Sequence, residues 1–173
     1  MSNNILAAAT HTFNVYDKGE VLIGITEVAL PAFNALTVEM EGSGLLGKFS
    51  QAVMGQYESM EMKLPFINLD EDIFRFADPT EVVDLNLRVA QQNLDRGEGG
   101  DGFKNLRVAI RGKTKAFEPG TVKNGTTMNA SITLELLYIL IEIDGKSKIE
   151  LDKLNSVYKV NGKDIMEQMR AYC

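Results

Sequence analysis

His11 is the only histidine in the chain and Cys173 the only cysteine. A Ser/His/Asp relay would have to run through one imidazole near an N-terminus expected to be loose, and a histidine-based metal site begins with a single ligand. The acidic trio Asp70, Glu71 and Asp72 has the charge to hold a divalent cation. It lacks the alternating ligands of a calcium loop, and acidic residues in the first turn of a short helix explain it equally well. Gly97-Glu-Gly-Gly-Asp-Gly102 is flexible enough to wrap a phosphate, but it carries acid where a phosphate loop wants lysine, and no helix is expected after it. Arg107, Arg111, Lys113, Lys115 and Lys123 crowd one region without interleaved aromatic residues, which reads as a solvated or partner-facing stripe rather than a nucleic-acid patch. No catalytic, cofactor-binding or metal-binding set emerges, and the terminal Cys173 excludes an internal disulfide.

The elements that would position any site are mostly strands. Glu20 to Val28 reads as a strand stopped at Leu30-Pro31, since proline cannot donate to a ladder. Leu36-Thr-Val-Glu-Met-Glu41 alternates, with Leu36, Val38 and Met40 on a dry face and Thr37, Glu39 and Glu41 on a wet one. Tyr57 to Leu64 repeats the pattern, setting Met60, Met62 and Leu64 against Ser59, Glu61 and Lys63. Both dry faces are expected to pack on the domain core. Between them Gly42, Gly44 and Gly47 predict a pliable loop that nevertheless carries Leu45, Leu46 and Phe49. Such a loop either folds back on its own core or orders on a neighbouring subunit.

Further along, Asp70 to Ala77 predicts a short helix stopped by Asp78-Pro79, and Val83 to Val89 a strand with valine and leucine inward. Another strand runs from Leu106 to Phe117, followed by a Pro119-Gly120 turn. The stretch Ser131 to Ile143 is a long strand whose segment Leu136 to Ile141 is apolar on both faces, so a lid is required there. Asp144-Gly145 has the residues of a type I′ hairpin, returning the chain as a strand from Lys146 to Leu151. A closing helix, about Lys163 to Tyr172, places Ile165, Met166, Met169 and Tyr172 on one stripe and is the expected lid. The sum is a mainly β fold: an antiparallel β-sandwich or barrel with a flanking C-terminal helix and a long hairpin arm.

A chain of 173 residues suits one domain, taken as 1–173, and its 45% hydrophobic and 24% charged content is that of an ordinary globular protein. No apolar run approaches the ~20 residues of a membrane-spanning helix, so no membrane anchor is expected. The first ten residues lack a basic segment, which points to synthesis in the cytoplasm, and the Asn124 and Asn129 triplets that match a glycosylation pattern are then chance matches. A net charge of −6 disfavours gripping nucleic acid by its phosphates, while leaving passage past an acidic wall open.

In order and spacing, several motifs resemble the major tail tube protein of contractile-tailed phages and of phage-tail-like bacteriocins. They are Gly24 through Ala29-Leu-Pro31, the glycines at 42 to 47, Val108-Ala-Ile-Arg-Gly-Lys-Thr-Lys115 with Pro119-Gly120, Asp144-Gly-Lys146, and the closing run Leu154 to Arg170. The resemblance implies a structural subunit, similar in shape to the type VI secretion tube protein, that forms hexameric rings stacked as the inner tube of a contractile tail. It implies a conduit for DNA ejection or membrane puncture, with sheath, baseplate and terminator proteins as partners, DNA met only in passage, and the virion tail or bacteriocin particle as location. Under it Gly42, Gly44, Leu45, Leu46, Gly47 and Phe49 become an inter-subunit arm. Thr37, Glu39, Glu41, Ser59, Glu61 and Lys63 become candidates for the lumen wall. A monomeric β-barrel holding a small ligand is the competing reading of the same alternation, and a type VI secretion tube shares the architecture.

Overall fold

The structure is a computed structural model that describes residues 5–22, 24–97 and 99–173. Met1 to Asn4, Ile23 and Glu98 lie outside it, as does the side chain of Asp72, so the acidic trio is followed only through Asp70 and Glu71.

The backbone of the fold is a run of antiparallel neighbours. Strand β6 (Val83–Asp95) pairs with β7 (Asp101–Glu118) without a register break from Val83↔Gly112 to Leu94↔Asp101. β8 (Ala130–Ile143) follows β7, and Asp144 and Gly145, with φ of 50° and 72°, turn the chain into β9 (Lys146–Asp152) as a type I′ hairpin requires. β10 (Val157–Val160) and the two-residue β11 (Lys163–Asp164) complete that side; Asn161 and Gly162 make a second turn with both φ positive. On the other side β6 pairs with β1 (Ile5–Asp17), and β1 with β2 (Glu20–Leu22). β5 (Glu61–Phe66) lies along β8 from Ala130 to Glu135, next to where β9 takes over that edge. β3 (Ala35–Met40) and β4 (Phe49–Tyr57) pair only with each other, as a separate two-stranded sheet.

One face of the large sheet carries the core. Val83, Leu85, Leu87 and Val89 meet Val108 and Ile110 across the β6–β7 ladder, while Ile132, Leu134, Leu136 and Ile139 supply β8. Met62, Leu64 and Phe66 arrive from β5, and the short helix α1 (Glu71–Phe74), capped by the Asp70 carboxylate on the Glu71 N–H, sets Ile73 and the following Phe76 against them. Each such fully buried large side chain is worth about 1.5–3 kcal/mol relative to exposure. Asp17, buried beneath this layer, is paired with Arg75, so its charge is not stranded.

Several expectations are corrected. The N-terminus is not loose over its described part: residues 5 to 17 form a full strand held by β6, a nonlocal pairing to which Ala-Ala-Ala-Thr contributes little local preference. The strand expected from Glu20 to Val28 stops at Leu22, with only the Ile25↔Phe66 bridge beyond it among the described residues. The strand expected from Tyr57 to Leu64 breaks between Tyr57 and Glu61, dividing β4 from β5. The expected helix from Lys163 begins instead as β11, and α2 (Glu167–Tyr172) is six residues long with none buried, so it is not a lid. None is needed over Leu136 to Ile141. Arg111 pairs with Tyr138 and Gly112 with Leu136, leaving Leu137 as a bulge residue, its carbonyl taking the Lys153 N–H at 2.9 Å. The inward alternation Ile132, Leu134, Leu136 resumes one residue out of phase at Ile139, and a phase shift of one residue reads as apolarity on both faces.

Candidate assembly surfaces

The β3–β4 hairpin carries an exposed apolar face. Cross-strand pairs Val38↔Gln51 and Met40↔Phe49 set Leu36, Val38, Met40 and Phe49 on one face, where they are 41%, 54%, 43% and 46% exposed. The first three were expected to pack on the core; the strand has the expected dry and wet faces, but its partner is only β4, and the core lies elsewhere. Met60, Met62 and Leu64 do pack there.

At the tip, Gly44 and Gly47 take φ of 92° and 116°, which a side chain resists, and the Leu45 N–H donates to the Gly42 carbonyl at 3.1 Å. Leu45 and Leu46 are held outward by this turn, and Lys48 pairs with Glu41 at 2.6 Å across it. Gly42 to Lys48 is thus the loop of the arm, with Phe49 already the first residue of β4.

The base of the hairpin is fixed. Phe33 meets Tyr57 edge-on with ring centroids 5.9 Å apart, and Tyr57 meets Tyr158 of β10 at 5.4 Å. Burial, then the Tyr158 hydroxyl, pushes the Tyr57 phenol well above its ordinary range. Gly55, at φ 72°, lies so close to Met166 that an added Cβ would fall 2.4 Å from the methionine sulfur. β10 and the start of α2 therefore clamp the arm rather than cover the core. Asp164, held below the usual carboxylate range chiefly by its hydrogen bond from Arg170, ties α2 to β11.

The lumen candidates fall on two sheets. Thr37 and Glu39 are on β3 with Glu41 just beyond it, all exposed, whereas Ser59, Glu61 and Lys63 belong to the approach to β5 and to β5 itself. The second group sits in an ion-pair lattice with β7 and β8. Lys63 pairs with Glu118 at 2.9 Å, Glu61 with Lys115, and Glu135 accepts from the Ser59 hydroxyl and from the Met60 N–H at 3.2 Å. Lys115 and Lys153 approach Glu135 at 3.7 and 3.8 Å. Burial raises the Glu135 carboxyl, but these hydrogen bonds and ammonium charges outweigh it and hold the group below its ordinary value. Glu61, Glu118 and Glu135 against Lys63, Lys115 and Lys153 make this wall neutral, so negative charge in the candidate set resides on the hairpin.

Three of the five residues of the basic stripe are engaged in the same way. Arg107 binds Asn86 and Glu142, and Arg111 pairs with Asp84 at 3.4 Å and lies over the Tyr138 ring. Lys115, extra to the β7–β8 ladder, belongs to the Glu61 lattice. His11 is a bulge residue of β1 whose ring meets Phe103 edge-on at 5.7 Å. Among the described residues no three His, Cys, Asp or Glu side chains converge as metal ligands.

Arg107, Arg111 and Lys115 are thus engaged in structural pairs, while the β3–β4 hairpin is left uncovered. The profile of the family described as phage tail tube protein FII matches residues 9–172. The chain belongs to the phage tail tube protein FII family. Its relatives include the tail tube protein of Escherichia phage P2, 25% identical over 161 residues that span 91% of each chain. The major tail tube protein of Serratia phage KSP20 is 32% identical over 60 residues, 35% of each chain. By fold, the chain is similar to the sheath/tube terminator of an extracellular contractile injection system, with a TM-score of 0.56, 14% identity, and coverage of 79% of this chain and 97% of that one. The tail tube family is a structural one, which agrees with the resemblance carried by the sequence motifs. The glycines at 42, 44 and 47 mark the hairpin loop in the sequence, whereas the exposed Met54 on β4 has no local signal there.

Proposed function

We propose that this chain is a single tail tube domain whose copies close into hexameric rings and stack as the inner tube of a contractile tail, made in the bacterial host cytoplasm. The observation that carries this is the uncovered apolar face of the β3–β4 hairpin. A two-stranded hairpin is marginal alone in water, and one with Leu36, Val38, Met40 and Phe49 facing solvent is stable when another surface covers it. A head-to-tail ring supplies that surface from the next copy, and stacking of open ring faces extends rings into a filament. Sheath, baseplate and terminator proteins meet the outer wall and ends of the tube. Thr37, Glu39, Glu41, Ser59, Glu61 and Lys63 face the channel, where DNA or another cargo passes without the counterion release that would reward binding.

The assembly is tested by size-exclusion chromatography across a concentration series followed by negative-stain microscopy. Rings or tubes that grow with concentration are the expected result. A monomer at every concentration overturns the proposal and restores the small-ligand barrel, for which no observation presently speaks.

A further inference from the structure

Four peptide bonds of the chain join an asparagine or aspartate to glycine: Asp101-Gly102, Asn124-Gly125, Asp144-Gly145 and Asn161-Gly162. At such a bond the glycine nitrogen, with no Cβ beside it, can reach the side-chain carbonyl carbon of the residue before it and close a five-membered ring. Closure needs that peptide to rotate, so the hydrogen bonds that hold it decide the rate. Three of the four are held. Asp101 and Gly102 lie in β7, paired with Leu94 and Asn93. Asp144 donates its N–H to the Asn105 carbonyl at 2.9 Å and its carboxylate accepts the Asn105 N–H at 3.0 Å, with Ile143 paired to Lys146 across the turn. Asn161 donates to the Lys148 carbonyl at 2.8 Å, inside a hairpin closed by Val160↔Lys163 and by the Ile165 N–H on the Tyr158 carbonyl at 2.9 Å.

Asn124 is placed otherwise. The connection from β7 to β8 is tied at its base, where the Thr121 N–H bonds the Met128 carbonyl at 2.9 Å and the Asn129 N–H bonds the Ile67 carbonyl at 3.1 Å. Beyond that tie every residue from 122 to 127 is exposed, Val122 to 82%. The turn at the tip is crossed by the Thr126 N–H and hydroxyl on the Lys123 carbonyl, at 3.4 and 3.2 Å, the first longer than an ordinary bond of its kind. The Asn124-Gly125 peptide lies outside the β7–β8 ladder, which ends at Glu118↔Ser131. We propose that Asn124 is a site of spontaneous covalent modification, an asparagine that converts to aspartate and isoaspartate while the chain stays folded. The Gly125 nitrogen bonds to Asn124 Cγ and loses its proton, which passes through water to the leaving group; the Cγ–Nδ2 bond breaks and the side-chain nitrogen departs as ammonia. Water that then opens the succinimide at Cγ leaves aspartate, and water that opens it at the backbone carbonyl leaves isoaspartate, whose main chain runs through Cβ and Cγ. One water is consumed for each ammonia released, and nothing is oxidised. Each modified copy gains one negative charge beyond the −6 of the sequence, next to Lys123. This chemistry needs no second copy of the chain.

The whole chain, incubated at mildly alkaline pH both folded and in urea and digested with trypsin at intervals, tests the site. Cleavage after Lys123 and Lys159 puts the two Asn-Gly bonds on separate peptides, whose masses and fragments locate the new acid. In the folded chain Asn124 is expected to convert roughly tenfold faster than Asn161, the factor that corresponds to about 1.4 kcal/mol of local opening at the hairpin. In urea the two should convert alike, because the same dipeptide is then held by nothing. Asn124→Gln, which would have to close a six-membered ring, should leave the melting temperature unchanged and keep that position free of acid. Equal rates at Asn124 and Asn161 in the folded chain, or no conversion of Asn124 while the urea sample converts, overturn the proposal. Either result leaves the tube reading untouched.

Discussion

Glu135 is the residue on which the β5–β8 surface turns, because it takes hydrogen bonds from Ser59 and the Met60 N–H and faces two lysines. Its carboxyl is depressed in the folded chain, so the stabilisation it confers is complete above the value it has when unfolded and is lost as pH falls through its folded value. Acid should begin to erode this surface from roughly pH 4.3 downward, the ordinary glutamate range. Glu118, depressed by its hydrogen bonds from Lys63 and then Ser131, acts in the same direction. Replacing Glu135 by Gln should cost about 1 kcal/mol near neutrality, a figure reduced for its partial exposure. The variant's melting temperature should also fall less than the wild type's between pH 6 and pH 3. Calorimetry across that range checks both, and parallel acid slopes would show that Glu135 carries none of the effect. The identity of this residue as a hub was not legible in the sequence, where it reads only as one polar position of an alternating strand; its partners lie 18 to 76 positions away.

Between strands, the bulge at Leu137 is the feature that alternation alone misreads. The core faces of β6, β7 and the first half of β8 follow directly from period-two patterning, since Val83, Leu85 and Leu87 or Ile132 and Leu134 have one side to bury. One residue dropped from pairing leaves no compositional mark, so the sequence suggests a lid that the fold does not need. Gly112 sits opposite this bulge, and a Cβ there would fall 2.3 Å from the Glu135 carbonyl oxygen. Gly112→Ala should therefore force the β7 and β8 backbones apart, costing roughly 2–3 kcal/mol and lowering the melting temperature by roughly 5–10 °C. An unchanged melting curve would mean that the ladder relaxes there freely. The arm behaves differently. Its glycines and leucines are legible in sequence, but where its dry face lands is not, because alternation reports two faces and not which body covers them. Deleting Gly44 to Lys48 removes no core side chain, so the lone subunit should melt within about 2 °C of the wild type while losing extended tubes in negative stain, the change expected of a surface loop away from the core. Tubes of normal length from the shortened chain would remove the arm from the assembly.

Across the whole molecule, charge and apolar surface are set against each other. Each copy carries a net −6, so bringing copies together is opposed by repulsion that acts over about 10 Å at 0.1 M salt. The surface proposed to be covered, the hairpin face of Leu36, Val38, Met40 and Phe49, is uncharged. Added salt then screens the opposing term and leaves the favourable one intact, since apolar burial has no ion pair to lose. The concentration of chain at which tubes first appear should fall as NaCl rises from 0.05 to 0.5 M, by roughly tenfold if the screened repulsion is about 1.4 kcal/mol per contact. Sodium sulfate should act more strongly at equal ionic strength, because it also favours burial of apolar surface. Light scattering against chain concentration at each salt level measures the threshold directly. A threshold that rises with salt would assign the interface to ion pairs instead, and the lattice of Glu61, Glu118 and Glu135 with Lys63, Lys115 and Lys153 would then be the surface to exchange between copies.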